Sequence, residues 1–232
     1  GWFSVALDES GWSFAVDKNF DYLWSRWSSA TAILVDIPIG LRNDESVRTC
    51  DVEARKLLGN RRSSVFPAPR RAALGATSHS EASERNRHVS GKGLSQQTFH
   101  ILHKIAEVDA LLRADKQARQ VIREVHPEIL FRALNDDVPM ANRKKRSAGF
   151  SERVAVLERY YKGAAELIEE VGREYRRYEV ARDDIVDALA AAVTARMAQG
   201  DYRTLPENVE TDQEGLRMEM VSWWGHNRMG IG

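Results

Sequence analysis

The sequence predicts an α/β protein, and three stretches carry that prediction. Ala32-Ile-Leu-Val-Asp-Ile-Pro-Ile-Gly-Leu41 opens with a short unbroken apolar run, the pattern of a strand buried on both faces. Val121-Ile-Arg-Glu-Val-His126 is a second strand-like run, ended by Pro127 and followed by a short helix from Glu128 through Ile129, Leu130 and Phe131. Asp184-Ile-Val-Asp-Ala-Leu-Ala-Ala-Ala-Val193 is an alanine-rich helix, ended near Gly200, whose small residues permit close approach to a sheet.

The first of these stretches organises the rest. Pro38 cannot donate to a ladder and Gly40 can take backbone angles other residues avoid, so the strand ends there. Asp36 therefore falls at the carboxyl end of a central strand, where ligands collect in open α/β sheets. A carboxylate is almost never buried without a partner. Two readings stand: a cap or ion pair, and a metal ligand.

At 232 residues the chain is long enough for a sizeable core and reads as one domain, 1–232. A charged fraction of 29% and a hydrophobic fraction of 43% describe an ordinary globular protein. The formal net charge is zero, so no global field points to nucleic acid or to membranes. Basic residues cluster only locally, at Arg61-Arg62, Arg70-Arg71 and Arg143-Lys-Lys-Arg146, and each cluster taken singly reads as a solvated loop. The one cysteine, Cys50, excludes an internal disulfide and fits a reducing compartment. With neither a membrane-length apolar run nor a signal peptide in view, a cytoplasmic protein is expected.

In chain order, Trp2–Leu7 and Trp12–Val16 form a hairpin around Asp8-Glu-Ser-Gly11. The chain opens inside a tryptophan-bearing strand, and a further segment is expected upstream of Gly1. Asn43-Asp-Glu45 is placed to cap a helix running to Leu58 and closed by Gly59; on it Arg48 and Arg55 share a face with Asp51. The prolines of Arg61-Arg-Ser-Ser-Val-Phe-Pro-Ala-Pro-Arg-Arg71 exclude a helix interior, and its adjacent hydroxyls Ser63 and Ser64, flanked by arginines, suit a phosphate or a loop brace. The polar run 76–93 reads as a mobile flap. Ser95 caps a helix with an apolar stripe at Ile101, Ile105, Val108 and Leu112. His100 and His103 on it lack a third ligand nearby in sequence. Residues 142–149 are a basic linker, and Ser151 starts a helix that continues after Gly163. Asp184 and Asp187 are neighbours on one helix face, and like charges at that spacing repel unless something positive sits between them. The tail is acidic from Glu207 to Glu214, and Leu216–Met220 alternates as an exposed strand would.

Several of these signatures together resemble the domain of unknown function family 429, described as RNase H-like nucleases. The matching residues are Val35-Asp-Ile-Pro-Ile-Gly-Leu41, Arg48 with Asp51 and Arg55, Ser63-Ser-Val-Phe-Pro67, Val125-His-Pro-Glu128, Asp184-x-x-Asp187-Ala188, and Gly215-Leu216 with Met218-Glu219. They span nearly the whole chain. The resemblance implies an RNase H-like three-layer α/β fold, with a mixed, five-stranded sheet flanked by helices and acidic residues converging at its strand ends. Members of the family usually begin with a strand carrying an aspartate-glycine pair just before the glycine-tryptophan found here as Gly1-Trp2. That aspartate is absent, so a gap is expected beside the Asp36 strand.

Such a cluster would hydrolyse phosphodiesters, with carboxylates holding two magnesium or manganese ions about 3.5–4 Å apart. Asp36, Glu128, Asp184 and Asp187 are the expected metal ligands, with Asp36, Glu128 and Asp187 within reach of one site and Asp183 only capping the helix. His126 would orient a ligand or relay a proton, or else be a satisfied strand histidine. Arg48, Arg55, Arg62 and Arg70, with Ser63 and Ser64, are candidates for the phosphates. Nucleic acid or another phosphoester is the expected substrate. The alternatives are a non-catalytic module binding nucleic acid or nucleotide, and a small-molecule phosphohydrolase.

Overall fold

The structure is a computed structural model that describes residues 1–223 and 225. The hairpin forms as expected: β1 (Trp2–Asp8) and β2 (Gly11–Asp17) pair antiparallel from Trp2↔Asp17 to Asp8↔Gly11. The Asp8 carboxylate closes the turn by accepting from the backbone N–H of Ser10 at 2.7 Å and of Gly11 at 3.2 Å. Helix α1 (Phe20–Trp27), capped by the Asn19 side chain, leads to β3 (Ile33–Val35), which stops one residue before Asp36.

The helix expected from Asn43–Glu45 starts later, as α2 (Thr49–Leu58), with Gly59 at its carboxyl end. Asp44 explains the delay: its carboxylate accepts from the Ser46 N–H at 2.9 Å, an Asx turn that competes with helix. Residues 79–90, expected to be flap, form α3 (His79–Ser90). Ser78 caps its Glu81 N–H, Glu81 answers by accepting from the Thr77 N–H, and Gly91 ends it in a left-handed conformation. The low apolar content of this helix hid it. The next expected helix is divided at Ile101 into α4 (Gln96–His100) and α5 (Leu102–Ala114).

After α6 (Lys116–Val121) come β4 (Ile122–Glu124) and α7 (Pro127–Leu134), the latter with proline at its first position. Then follow α8 (Ser147–Tyr160), α9 (Ala164–Glu174), α10 (Arg182–Ala198), β5 (Arg203–Thr211) and β6 (Arg217–Ser222). The acidic tail is thus strand, and β6 is buried instead of exposed, with Met218, Met220 and Val221 in the core.

The five-stranded mixed sheet, and with it the three-layer RNase H-like arrangement, is corrected by the pairing. Among the described residues there are three two-stranded sheets: β1 with β2, β3 parallel to β4, and β5 antiparallel to β6. The fold is α/β but helix-rich. The strands of the parallel pair are only three residues long, and prolines at 38 and 127 cut each one short. β4 and β6 meet through the side chains of Arg123 and Glu219, at 2.5 and 2.8 Å, without a hydrogen-bonded ladder. β1 does not pair with β3; both instead pack on α10.

That helix is central. Ile185, Val186, Leu189, Ala190 and Val193 are buried against Phe3, Val5, Leu7 and Leu34 from the strands and against Leu157, Leu167 and Val171 from α8 and α9. Each large aliphatic chain buried there stabilises the fold by roughly 1.5–3 kcal/mol. A second core joins α1 and α5 to Val35, Ile37, Ile39 and Leu41 of the segment that holds Asp36. Asp36 therefore stands between two packed bodies, on a segment anchored from both sides.

Candidate functional site

Asp36 lies just beyond β3, beside the first two turns of α10. Ala181, and not Asp183 as expected, is the N-cap of α10, so Asp183 and Asp184 both occupy its first turn and Asp187 lies one turn further in. Carboxylates in a first turn are favoured by the helix dipole; Asp187 is not so placed. It is only 12% exposed, with Oδ2 accepting from Lys144 Nζ at 2.8 Å and Oδ1 buried without a partner. Burial pushes its carboxyl up to about 6, with the Asp36 and Asp183 charges adding and Lys144 opposing.

Asp36 and Asp184 share this environment. Desolvation raises Asp36; Asp184 raises it further, and His126, Lys144 and Lys104 pull against them. Solvent nevertheless reaches Asp36, as it does a group with protein on most sides and one side open, and the open side is what a ligand meets. Asp184 is raised by desolvation and then by Asp183. Lys144 is the positive charge among them. Burial disfavours its ammonium, but Asp187, then Asp183 at 3.7 Å and Asp36, outweigh that and hold the proton more tightly. The cation that adjacent aspartates require is present, and it comes from the stretch read as a solvated linker.

His126 is the residue before α7. Its Nε2 lies 3.2 Å from the Ser64 carbonyl oxygen, which only accepts, so Nε2 carries the proton. Its Nδ1 is buried without a partner. Glu128, expected beside Asp36 and Asp187, is occupied elsewhere. Its Oε1 accepts from Arg153 at 2.7 Å and its Oε2 faces Arg61 at 3.3 Å. Among the described residues no three His, Cys, Asp or Glu side chains form a group that could hold a metal ion, so the expected set of Asp36, Glu128 and Asp187 is not assembled.

Most of the expected phosphate arginines are spent internally. Arg48 is fully buried and bonded to Glu124, with Asp51 at 3.4 Å. Burial pushes Glu124 up, while Arg48 and the Ile39 N–H, at 2.7 Å, favour its charged form; Arg48 stays protonated. This pair ties the loop after Asp36 to α2. Arg55 donates twice to the Val65 carbonyl, at 3.0 and 2.8 Å, and Arg70, also buried, to that of Glu45 at 3.1 Å. The Ser64 hydroxyl donates to the Arg61 carbonyl at 2.9 Å. Arg62 and Ser63 are exposed, and their side chains have no partner among the described residues. A cavity of about 340 Å³ lies elsewhere, lined by Ile39, Lys116, Arg123, Glu124 and Leu216, and contributes no group to the aspartate site.

A hard divalent cation suits this donor chemistry: carboxylate oxygens, one of them buried and unpartnered. What the site lacks is a ready cage, since Lys144 holds one Asp187 oxygen and Glu128 is turned to arginines.

Fold and site together define a helix-rich α/β protein with an aspartate cluster at the end of a short parallel strand pair. The chain belongs to the family described as protein of unknown function (DUF429), which it matches over residues 1–211. No curated protein and no solved structure matches it. No helix among the described residues is long and apolar enough to cross a membrane.

Proposed function

We propose that the chain hydrolyses phosphodiesters with the help of magnesium or manganese at the Asp36, Asp184 and Asp187 cluster. One observation carries this reading: Asp187 is kept nearly buried, one oxygen without a partner, near Asp36 and Asp183, whose charges oppose its own. A purely structural carboxylate would gain from full pairing, so this arrangement supports a site left incomplete for a ligand.

Asp36, Asp184 and Asp187 do not form a metal group as they stand, so on this reading they would have to draw together, with Lys144 leaving Asp187, to hold an ion that when bound would activate water and stabilise the leaving oxygen. The chain's own groups do the rest. Asp36, open to solvent, meets the incoming group first. His126, with its proton fixed on Nε2, presents Nδ1 as an acceptor that can take a proton from water or orient a neighbour. Arg62 and Ser63 are free to engage a flanking phosphate.

The test is hydrolysis of a panel comprising an aryl phosphodiester, single- and double-stranded DNA and RNA, and nucleotide monoesters, with manganese. At least a hundredfold loss is expected for Asp187→Asn with the fold retained. Equal activity in that variant and the wild type would refute the reading. A non-catalytic module is favoured by one observation, the Lys144 ammonium on Asp187. Oligonucleotide binding without turnover of any substrate would establish it instead.

A further inference from the structure

β4 and β6 approach each other without a ladder, and beside them opens the cavity of about 340 Å³ that shares no group with the aspartate site. Its volume is that of a small-molecule site. The floor is apolar: Ile39, Leu112, Ile122 and Leu216 line it, and all four are buried. The rim is polar and exposed, at Lys116, Gln120 and Arg217.

The charges on its wall do not cancel. Two carboxylates line it, and each is already held, Glu124 by the buried Arg48 and Glu219 by Arg123 at 2.5 and 2.8 Å. Three cations remain. Among the described residues Arg119 donates only to carbonyl oxygens, those of Leu112, of Arg113 at 2.8 Å and of Glu214 at 3.3 Å. These bonds tie α6 to the end of α5 and to the turn before β6, so the guanidinium is fixed in place while its charge stays without a counter-anion. The Lys116 and Arg217 side chains have no partner among the described residues.

We infer that this cavity binds a nucleoside monophosphate, with the phosphate at the rim on Lys116, Arg119 and Arg217 and the base on the apolar floor. A phosphate monoester carries close to two negative charges at neutral pH and accepts paired N–H groups from guanidinium. Three cations at one rim match that charge better than they match the single charge of a carboxylate. The face of a base covers Ile39, Ile122 and Leu216 and releases their water, whereas a bare sugar phosphate would set hydroxyls against them. The Gln120 amide, donor and acceptor at once, suits the edge of a base. Occupancy of this cavity does not depend on hydrolysis at the aspartate cluster.

The test is calorimetric titration of the full chain with adenosine 5′-monophosphate, adenosine and ribose 5-phosphate, a chelator present and unfolding measured in parallel. The wild type is expected to bind the nucleotide at one site, and the nucleoside and the sugar phosphate each more weakly by about tenfold or more. Lys116→Ala and Arg217→Ala remove exposed, unpartnered side chains and leave the fold intact; each is expected to weaken nucleotide binding by about five- to tenfold. Arg62→Ala, on the aspartate side, is expected to bind the nucleotide as the wild type does. No binding by the wild type, or full binding by either rim variant, overturns the site. A loss in Arg62→Ala with none in the rim variants places the nucleotide at the aspartate cluster and equally overturns it. Adenosine bound as tightly as its monophosphate refutes the role of the cations, and ribose 5-phosphate bound as tightly refutes that of the floor.

Discussion

Replacing Asp187 by asparagine should stabilise the metal-free protein, and by an amount that depends on pH in a defined way. The carboxyl is raised from 3.8 to about 6 in the folded chain, chiefly by desolvation. Below pH 3.8 it is protonated in both states and the wild type has no deficit. Between 3.8 and 6 the unfolded chain gives up the proton while the folded chain keeps it, so wild-type stability falls. Above 6 the deficit is complete. About two pKa units correspond to roughly 3 kcal/mol. Asparagine has nearly the same shape and no charge, so it escapes the deficit, and Lys144 keeps Asp183 and Asp36 as partners. For a chain of this size, 3 kcal/mol is worth roughly 6–12 °C in Tm. The assay is urea and thermal unfolding of both proteins at steps from pH 4 to 7 with a chelator present. The two should coincide at the acid end and diverge toward neutrality. A variant less stable than the wild type at pH 7, or a difference that does not vary with pH, would show that Asp187 is an ordinary paired carboxylate.

Two further outcomes follow from the same network. Asp183→Asn should leave any hydrolytic activity nearly intact and change stability by less than about 1 kcal/mol, because Ala181 is the N-cap and Asp183 meets Lys144 only at 3.7 Å; a turnover loss as large as that of Asp187→Asn would place Asp183 among the ligands. Glu124→Gln leaves the buried Arg48 guanidinium with Asp51 alone and should destabilise the fold by about 3–5 kcal/mol, whereas Arg48→Met with Glu124→Met should recover most of it, both read by urea unfolding.

The sequence was legible where local chemistry decides structure. The Asp36 strand, its termination by Pro38, the hairpin, the proline-led α7 and the alanine-rich α10 follow from short patterns, and Asp36, Asp184 and Asp187 do share one electrostatic environment. What could not be read was long-range partnership. Arg48, Arg55 and Arg70 have the right type and spacing for phosphate, but each is claimed by an internal acceptor between ten and seventy-six positions away, or by a backbone carbonyl. Glu128 at a strand end resembles a ligand until Arg153 and Arg61, remote in sequence, converge on it. Lys144 left one trace: two aspartates a turn apart on an alanine-rich helix call for a cation, and the basic stretch at 143–146 could have supplied it. The sheet was overestimated because the length of a ladder depends on which edges meet, and β1 and β3 meet α10 instead of each other.

The distribution of free positive charge constrains the substrate further. A protein that grips a long polyanion does so with many unpaired cations, each releasing a counterion, so its affinity falls steeply with salt. Here the arginines nearest the site are mostly engaged, which leaves Arg62, the exposed Arg143, Lys145 and Arg146 that flank Lys144, and Lys104, whose ammonium lies 4.7 Å from the Trp2 ring centre and whose charge reaches Asp36 and Asp184. Contacts from all five would give a log–log salt slope of about −3.5 on a single strand. Between about 50 and 200 mM salt, binding of a labelled single-stranded oligonucleotide should therefore weaken by no more than about a hundredfold, against a thousandfold or more for a protein making six to ten contacts. Titrations by fluorescence anisotropy across that range measure the slope directly. A slope of −5 or steeper would mean that an extended basic surface binds the strand, and that the aspartate site is served by cations beyond these five. A shallow slope, with Arg62→Ala reducing it by about one contact's worth, would confine the substrate to a few nucleotides or to a small phosphodiester.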